Sequence, residues 1–344
     1  MLKCEISSRI VHFLQPAGTS RGVYTTRRSW FVHVTDSELP GAVGVGECAP
    51  LPKLSCDDIE GYETRLRELC LLTERTGGIP YEVMSPYPSM LFGLETALMR
   101  LKSQSDIIFD TPFVHGEGIT INGLVWMGNH EEMLKRMEDK VEKGFSCVKL
   151  KIGAIDFESE LDLIKRLRRR FSPDAIQLRL DANGAFTPDE ALGKLQRLAA
   201  FGIHSIEQPI AQRQWDKMGI ICRKSPIPVA LDEELIGVNI NGAKRQLLET
   251  IRPQYIILKP SLHGGISGCK EWIGMAGDMG IGSWITSALE SNVGLSAIAQ
   301  FAAHVYGCPT TMPQGLGTGM LFADNVDMPL YVEGDKLFYK PTDK

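Results

Sequence analysis

The chain is 344 residues long, 43% hydrophobic and carries a formal net charge of −5, enough apolar material to bury the core of one large domain and a smaller one. The acidic balance argues against a nucleic-acid surface, and no apolar run approaches the roughly 20 residues that a membrane-spanning helix needs. The eight cysteines, at 4, 48, 56, 70, 147, 222, 269 and 308, form neither a Cys-x-x-Cys pair nor a zinc-like cluster, so they are expected as reduced thiols, mostly in the core.

Met1-Leu2-Lys3-Cys4-Glu5 turns directly into alternating residues, without the apolar core of a secretory signal, and a cytosolic location is expected. Residues 4–13, 28–35 and 42–47 alternate apolar and polar and predict antiparallel strands. Between the first two, residues 15–22 are too long and too polar for a tight hairpin and predict a functional or disordered loop. The third strand runs into Gly46-Glu47-Cys48-Ala49-Pro50-Leu51-Pro52-Lys53-Leu54-Ser55, which its two prolines stiffen. Helices are predicted over 57–72, opened by Ser55 or Asp57 as cap, and over 87–102. Residues 1–118 therefore predict a smaller α+β domain.

From Ile119 the pattern changes to short apolar strands alternating with amphipathic helices. Strands are predicted near 119–125, 146–151, 176–181, 203–207, 228–232, 255–259, 283–287 and 309–313, and helices include 156–170, 188–200 and 292–305. Eight strands with seven intervening helices over 119–320 predict an α/β fold, a closed (β/α)7β TIM-like barrel, whose chemistry sits at the C-terminal strand ends. The basic run Lys165-Arg166-Leu167-Arg168-Arg169-Arg170 falls on a helical pattern and predicts an exposed helix face.

The charges at these strand ends are informative. Lys149 and Lys151 lie two residues apart on one predicted strand and so point the same way. Side by side and partly buried, they are expected to lower each other's pKa toward the range of a general base; taken alone, a solvated strand face explains them too. The next three strands end in Asp181, Glu207 and Asp232, one strand–helix unit apart, and the following one ends in Lys259. Three carboxylates at one rim are unfavourable unless a hard divalent cation shares them, with magnesium fitting best; the alternative is three acids each paired locally. A cation beside lysines on both sides is the arrangement that removes a proton α to a carboxylate.

Lys149-Leu150-Lys151, Asp181-Ala182-Asn183, Glu207-Gln208-Pro209, Asp232-Glu233 and Leu258-Lys259-Pro260 resemble the successive strand-end motifs of the muconate lactonising subgroup of the enolase superfamily. The resemblance covers nearly the whole chain. It implies an α+β N-terminal capping domain with lid loops at 15–22 and 48–55, a barrel, and a segment over 321–344 that returns toward the capping domain. Asp181, Glu207 and Asp232 are then expected to ligate Mg2+, with Mn2+ as a substitute. Lys151 is expected as the base, Lys149 as its tuner and Lys259 as the stabilising charge on the opposite face. The partner is expected to be a small anionic carboxylate substrate, with Arg179, Ser287 and Ser291 as binding residues, and Arg179 alternatively in an internal ion pair.

Residues 46–52 and 287–294 are most similar, within the subgroup, to members that make o-succinylbenzoate for menaquinone by syn dehydration of 2-succinyl-6-hydroxy-2,4-cyclohexadiene-1-carboxylate. The competing reading is racemisation of an N-succinylamino acid or epimerisation of a dipeptide, although Met312-Pro313-Gln314-Gly315-Leu316-Gly317 stands where dipeptide epimerases carry Asp-x-Asp. A binding protein without turnover is the reading from another class. Oligomeric state is left open.

Overall fold

The computed structural model describes residues 1–19, 22–125 and 130–340. The N-terminal part is a three-stranded antiparallel sheet of β1 (Leu2–Thr19), β2 (Gly22–Asp36) and β3 (Gly44–Cys48), followed by helices α1 (Tyr62–Thr76), α2 (Tyr81–Met84) and α3 (Pro88–Ser103). Its core joins Val32, Val34 and Cys48 of the sheet to Leu66, Leu69, Met90, Leu94 and Ala97 of the helices. Helix α3 lies close on β3 because Gly46 has no side chain: a Cβ there would meet the Gly93 carbonyl oxygen at 1.8 Å.

Two expectations are corrected in this part. Residues 15–22 are largely strand, since β1 and β2 continue pairing from Ala17 to Gly22 across a register shift between His12 and Ala17; residues 20 and 21 lie outside the described residues. The extra residues of that irregularity, which broke the alternation in the sequence, twist the hairpin and do not end it. Helix α1 begins at Tyr62 after Gly61 in a left-handed conformation, and Asp57 accepts hydrogen bonds from Ser89 N (2.8 Å) and Ser89 Oγ (2.6 Å), serving the start of α3.

Next come β4 (Ile119–Thr120) and a repeating series: β5 (Gly123–Val125), α4 (His130–Glu142), β6 (Cys147–Lys151), α5 (Phe157–Arg170), β7 (Gln177–Asp181), α6 (Pro188–Ala199), β8 (Ile203–Glu207), α7 (Trp215–Lys224), β9 (Val229–Leu231), α8 (Asn241–Ile251), β10 (Tyr255–Leu258), α9 (Gly265–Asp278), β11 (Gly282–Ile285) and α10 (Asn292–Tyr306). Strands β5 to β11 form one parallel sheet in chain order. Parallel strands buried on both faces divide their side chains by alternation. Val148, Leu150, Leu178, Leu180, Ile206, Leu231, Ile256 and Leu258 enter the main core with helix residues such as Leu163, Leu195 and Trp272. The other face carries Ala230, Ile257 and Trp284, together with the charged rows described below.

No strand forms over 309–313. Gln314 and Gly315 instead bridge the two edges of the sheet: Gln314 pairs with Ile121, Gly315 with Thr286, and Gly315 N donates to Ile285 O at 2.9 Å. Two prolines, Pro309 and Pro313, lack the donors a ladder needs. Strands β12 (Leu330–Glu333) and β13 (Lys336–Tyr339), not foreseen, pair antiparallel and join β4. Residues 322–324 run against β1, with Ala323 N donating to His12 O at 2.8 Å; the last residues of the expected C-terminal segment, 341–344, lie outside the described residues. The basic run occupies the end of α5, where Arg168 donates to the carbonyls of Phe201 (2.7 Å) and Ile176 (2.8 Å). Among the described residues no helix is long and apolar enough to cross a membrane. All eight cysteines are free; Cys56 is exposed rather than buried.

Glu95 of α3 joins the two parts by accepting from Ile266 N (2.5 Å) and Ser267 N (3.1 Å) at the start of α9. Burial pushes its carboxyl up to about 7, against the pull of these donors. A carboxyl raised in the folded state stabilises fully below its unfolded pKa, and that contribution disappears as pH rises through the folded value. Urea midpoints measured between pH 4.5 and 8 should therefore decline more steeply for the natural protein than for Glu95→Gln; parallel pH profiles would remove Glu95 from this role.

Candidate active site

The strand register assembles the site. Lys151 of β6 pairs with Asp181 of β7, and Asp181 pairs with Glu207 of β8. Glu207 pairs with Ala230 of β9, so Asp232, two residues further, continues the same face. Lys259 follows β10 directly. One turn of the pleat earlier, Lys149 pairs with Arg179 and Arg179 with Ser205. All five strands thus deliver charge to one rim, with the acids on β7 to β9 between lysines on β6 and β10.

Asp181, Glu207 and Asp232 are 1%, 3% and 2% exposed, a degree of burial at which an unpaired carboxylate costs several kcal/mol. Their partners are the lysines. Lys149 Nζ lies 2.9 Å from Asp181 Oδ2 and 2.5 Å from Glu207 Oε2. Lys151 Nζ donates to Asp181 Oδ2 at 3.1 Å and to Asn183 Oδ1 at 2.7 Å. Lys259 Nζ donates to Asp232 Oδ2.

These contacts set the protonation states. Burial opposes charge on Lys149, but Asp181, Glu207 and Asp232 outweigh it and raise the lysine's pKa. Lys259 is raised in the same way, by Asp232 first. Burial also opposes charge on Asp181 and Asp232, yet the lysines hold both below the usual carboxylate range. Glu207 goes the other way: burial and the charge of Asp181 push it well above. The expectation that like-charge repulsion would lower Lys149 is thereby corrected, because acids stand nearer to Lys149 than a free neighbouring ammonium could offset.

As the side chains stand, no group of three or more His, Cys, Asp or Glu among the described residues is arranged to hold a metal ion; the lysine ammonium groups engage the carboxylates. The donor set nevertheless fits a hard cation. Glu207 Oε1 and Asp232 Oδ1 are buried oxygens without a hydrogen-bond partner, and carboxylate oxygens are what magnesium takes.

A cavity of about 490 Å³ opens over this rim, lined by Lys149, Lys151, Asp181, Glu207, Asp232 and Lys259 on the sheet side. Across from them lie Phe13 to Ala17, Leu51 and Leu54 from the N-terminal part, and Leu289, Met320 and Leu321. The volume suits a small organic ligand.

Three expected binding residues divide. Ser287 lines the cavity and its hydroxyl bonds to that of Thr318. Ser291 does not line it: its hydroxyl donates to Glu47 Oε2 at 2.6 Å and accepts from Val293 N at 3.3 Å, capping α10. Arg179 is likewise withdrawn, stacked over Trp284 at 4.4 Å with Nη1 donating to Pro313 O at 2.9 Å. It does not line the cavity, and although the charge of Glu207 acts on it, it forms no ion pair within 4 Å among the described residues.

Two residues were passed over. Asn183 accepts from Lys151 and donates from Nδ2 to Glu233 Oε1 at 2.9 Å, and both Asn183 and Glu233 line the cavity. Their signal was their position one and two residues beyond strand ends that already carried an acid.

Residues 132–328 match the family described as enolase C-terminal domain-like. The chain is 45% identical to the o-succinylbenzoate synthase of Desulfotalea psychrophila over 94% of this chain and 95% of that one, and 25% identical to the L-Ala-D/L-Glu epimerase of Bacillus subtilis over 88% and 85%. The crystal structure of MenC from Desulfotalea psychrophila superposes with a TM-score of 0.82 at 38% identity, covering 98% of this chain and 99% of that one. The substrate-liganded epimerase from Bacillus subtilis, at 23% identity and a TM-score of 0.83 over 98% and 96%, shares the fold.

The placement of Arg179 makes a prediction. Arg179→Met removes the stacked cation and leaves the Pro313 carbonyl unpaired, which should cost on the order of 2–3 kcal/mol in urea unfolding while KM changes less than about threefold. A large rise in KM at unchanged stability would return Arg179 to the substrate.

Proposed function

The chain belongs to the enolase C-terminal domain-like family of the enolase superfamily, and from that premise we propose that it is a hydro-lyase of the o-succinylbenzoate synthase type. Its substrate is 2-succinyl-6-hydroxy-2,4-cyclohexadiene-1-carboxylate, which loses the proton α to its carboxylate and the neighbouring hydroxyl as water, giving o-succinylbenzoate for menaquinone. We assign the sheet to the (β/α)7β barrel of that family, with residues 314–315 as its last stave and residues 1–118 as the capping domain.

The observation that carries the reaction class is the run of Lys151, Asp181, Glu207, Asp232 and Lys259 along five adjacent parallel strands. Support for the substrate comes from the 45% identity to a synthase over nearly the whole of both chains, against 25% to an epimerase.

In this reading Asp181, Glu207 and Asp232 hold a divalent cation, Mg2+ in the first place. When bound, the cation supplies the positive charge that makes a proton next to a carboxylate removable by an amine. Lys151 takes that proton and returns it to the leaving hydroxyl on the same face, so one residue serves both halves of a syn elimination. Asn183, hydrogen bonded to the Lys151 ammonium, keeps its nitrogen aimed. Lys259, beyond the acids, offsets negative charge that builds on the substrate from the opposite side. Lys149 balances Asp181 and Glu207. The segments 13–17 and 51–54 cover the ligand and keep water out.

The test is a direct assay of aromatic product with Mg2+ titration alongside. Lys151→Ala should lower turnover by at least about 10²-fold with saturable Mg2+ binding retained, and Glu207→Gln should lose the Mg2+ binding. Turnover that survives in Lys151→Ala removes that residue as the base; turnover that survives exhaustive chelation removes the cation.

A further inference from the structure

Arg27 of β2 is 1% exposed, and the hydrogen bonds described for it go to main-chain carbonyls alone. Nη2 donates to Ala49 O at 2.6 Å and Nη1 to Pro50 O; Nε donates to Leu289 O at 3.2 Å and Nη2 to Ala288 O at 3.4 Å. Two of these carbonyls belong to the segment after β3 and two to the segment after β11. Each segment runs straight into cavity wall: Leu51 and Leu54 on one side, Ala288 and Leu289 on the other. Burial opposes the Arg27 charge, and its balancing charges are Glu290 and Glu47, which work on the same stretch of backbone.

Glu47 accepts from Ser291 N (2.8 Å), Ser291 Oγ (2.6 Å) and Gly294 N (2.8 Å). Glu290 accepts from Ala288 N (2.7 Å) and from Ser261 Oγ. Between these anchors Leu289 has φ +65, a left-handed conformation that a leucine rarely adopts and that persists only where its surroundings impose it. The result is an apolar wall in which Leu289 packs with Val11, Leu51 and Phe322. A planar fork of five donors can bridge four carbonyls on two segments; a lysine, a point charge on a flexible stem, cannot hold that geometry.

We infer that Arg27 is a positioning residue for substrate selection, tying the two wall segments into one unit so that Leu51 and Leu289 present a fixed apolar surface to the substrate's hydrocarbon part. The inference rests on the dehydrating site proposed above. Arg27 makes no described hydrogen bond to Lys151, Asp181, Glu207, Asp232 or Lys259, so its loss acts on recognition and leaves the proton-transfer row in place.

The experiment compares the natural protein with Arg27→Met and Arg27→Lys, measuring kcat and KM for 2-succinyl-6-hydroxy-2,4-cyclohexadiene-1-carboxylate and, by calorimetry, Mg2+ affinity. Expected are a KM at least tenfold higher in both variants, kcat within about threefold, and Mg2+ affinity within twofold. An unchanged KM, or a kcat that falls alone, overturns the inference while leaving the function standing; a natural protein that binds Mg2+ but forms no aromatic product overturns both. If Arg27→Met does not fold, Arg27→Lys, which keeps a buried cation but not the planar fork, decides alone, and an unchanged KM there overturns the inference.

Discussion

Three carboxylates buried side by side constrain everything around them. Two unit charges 4 Å apart repel by about 4 kcal/mol at an effective dielectric constant near 20, and each buried ion carries a desolvation cost of several kcal/mol besides. Asp181, Glu207 and Asp232 persist only with positive charge among them, and the chain supplies Lys149, Lys151 and Lys259. The lysines cover part of the oxygen set. Glu207 Oε1 and Asp232 Oδ1 stay without hydrogen-bond partners, so the lysines leave acceptor capacity in the acid set that the proposed cation would take up.

Register converts this local requirement into a condition on the whole sheet. A slip of one residue between β6 and β7 would send Asp181 into the helix-facing core with Leu178 and Leu180 turned to the cavity, since alternate residues face opposite ways. The apolar outer row and the charged inner row therefore specify the same pairing twice. The bridging pair Gln314 and Gly315 adds a third restraint, pairing with Ile121 just before the edge strand β5 and with Thr286 just after the edge strand β11.

How much of this was legible follows from the period of each signal. The alternation in Cys147 to Lys151 and the acids at the ends of Gln177–Asp181 and Ile203–Glu207 declare strand, face and neighbour at once, and the recurrence of acid after each strand–helix unit declares the rim. Residues whose role depends on long-range partners carried no such mark. Arg179 shares the phase of the charged row but sits one pleat deeper, where Trp284 from β11 receives it. Ser291 reads as a residue that binds an anionic substrate, and the anion it holds is Glu47 of the other part of the chain. Residues 15–22 read as loop because the register shift between His12 and Ala17 interrupts the alternation just before and within them.

The same contact explains how recognition can be adjusted without disturbing chemistry. The N-terminal part addresses the helix starts of the sheet part with acids, Glu95 at α9 and Glu47 at α10, where backbone donors and the helix dipole favour negative charge. Arg100 adds the reverse contact, donating to Val45 O at 2.6 Å on β3 and to Val293 O at 3.0 Å on α10. Such bonds are directional, so they fix the angle at which the cover meets the rim more sharply than apolar contact would. The charged row hangs on strand ends and the apolar wall on these helix-start contacts, and the two meet where Ser261, two residues beyond Lys259, donates to Glu290. In the proposed reading, changes in the wall that keep the Ser261–Glu290 contact alter which carboxylate enters while the charged row keeps its geometry.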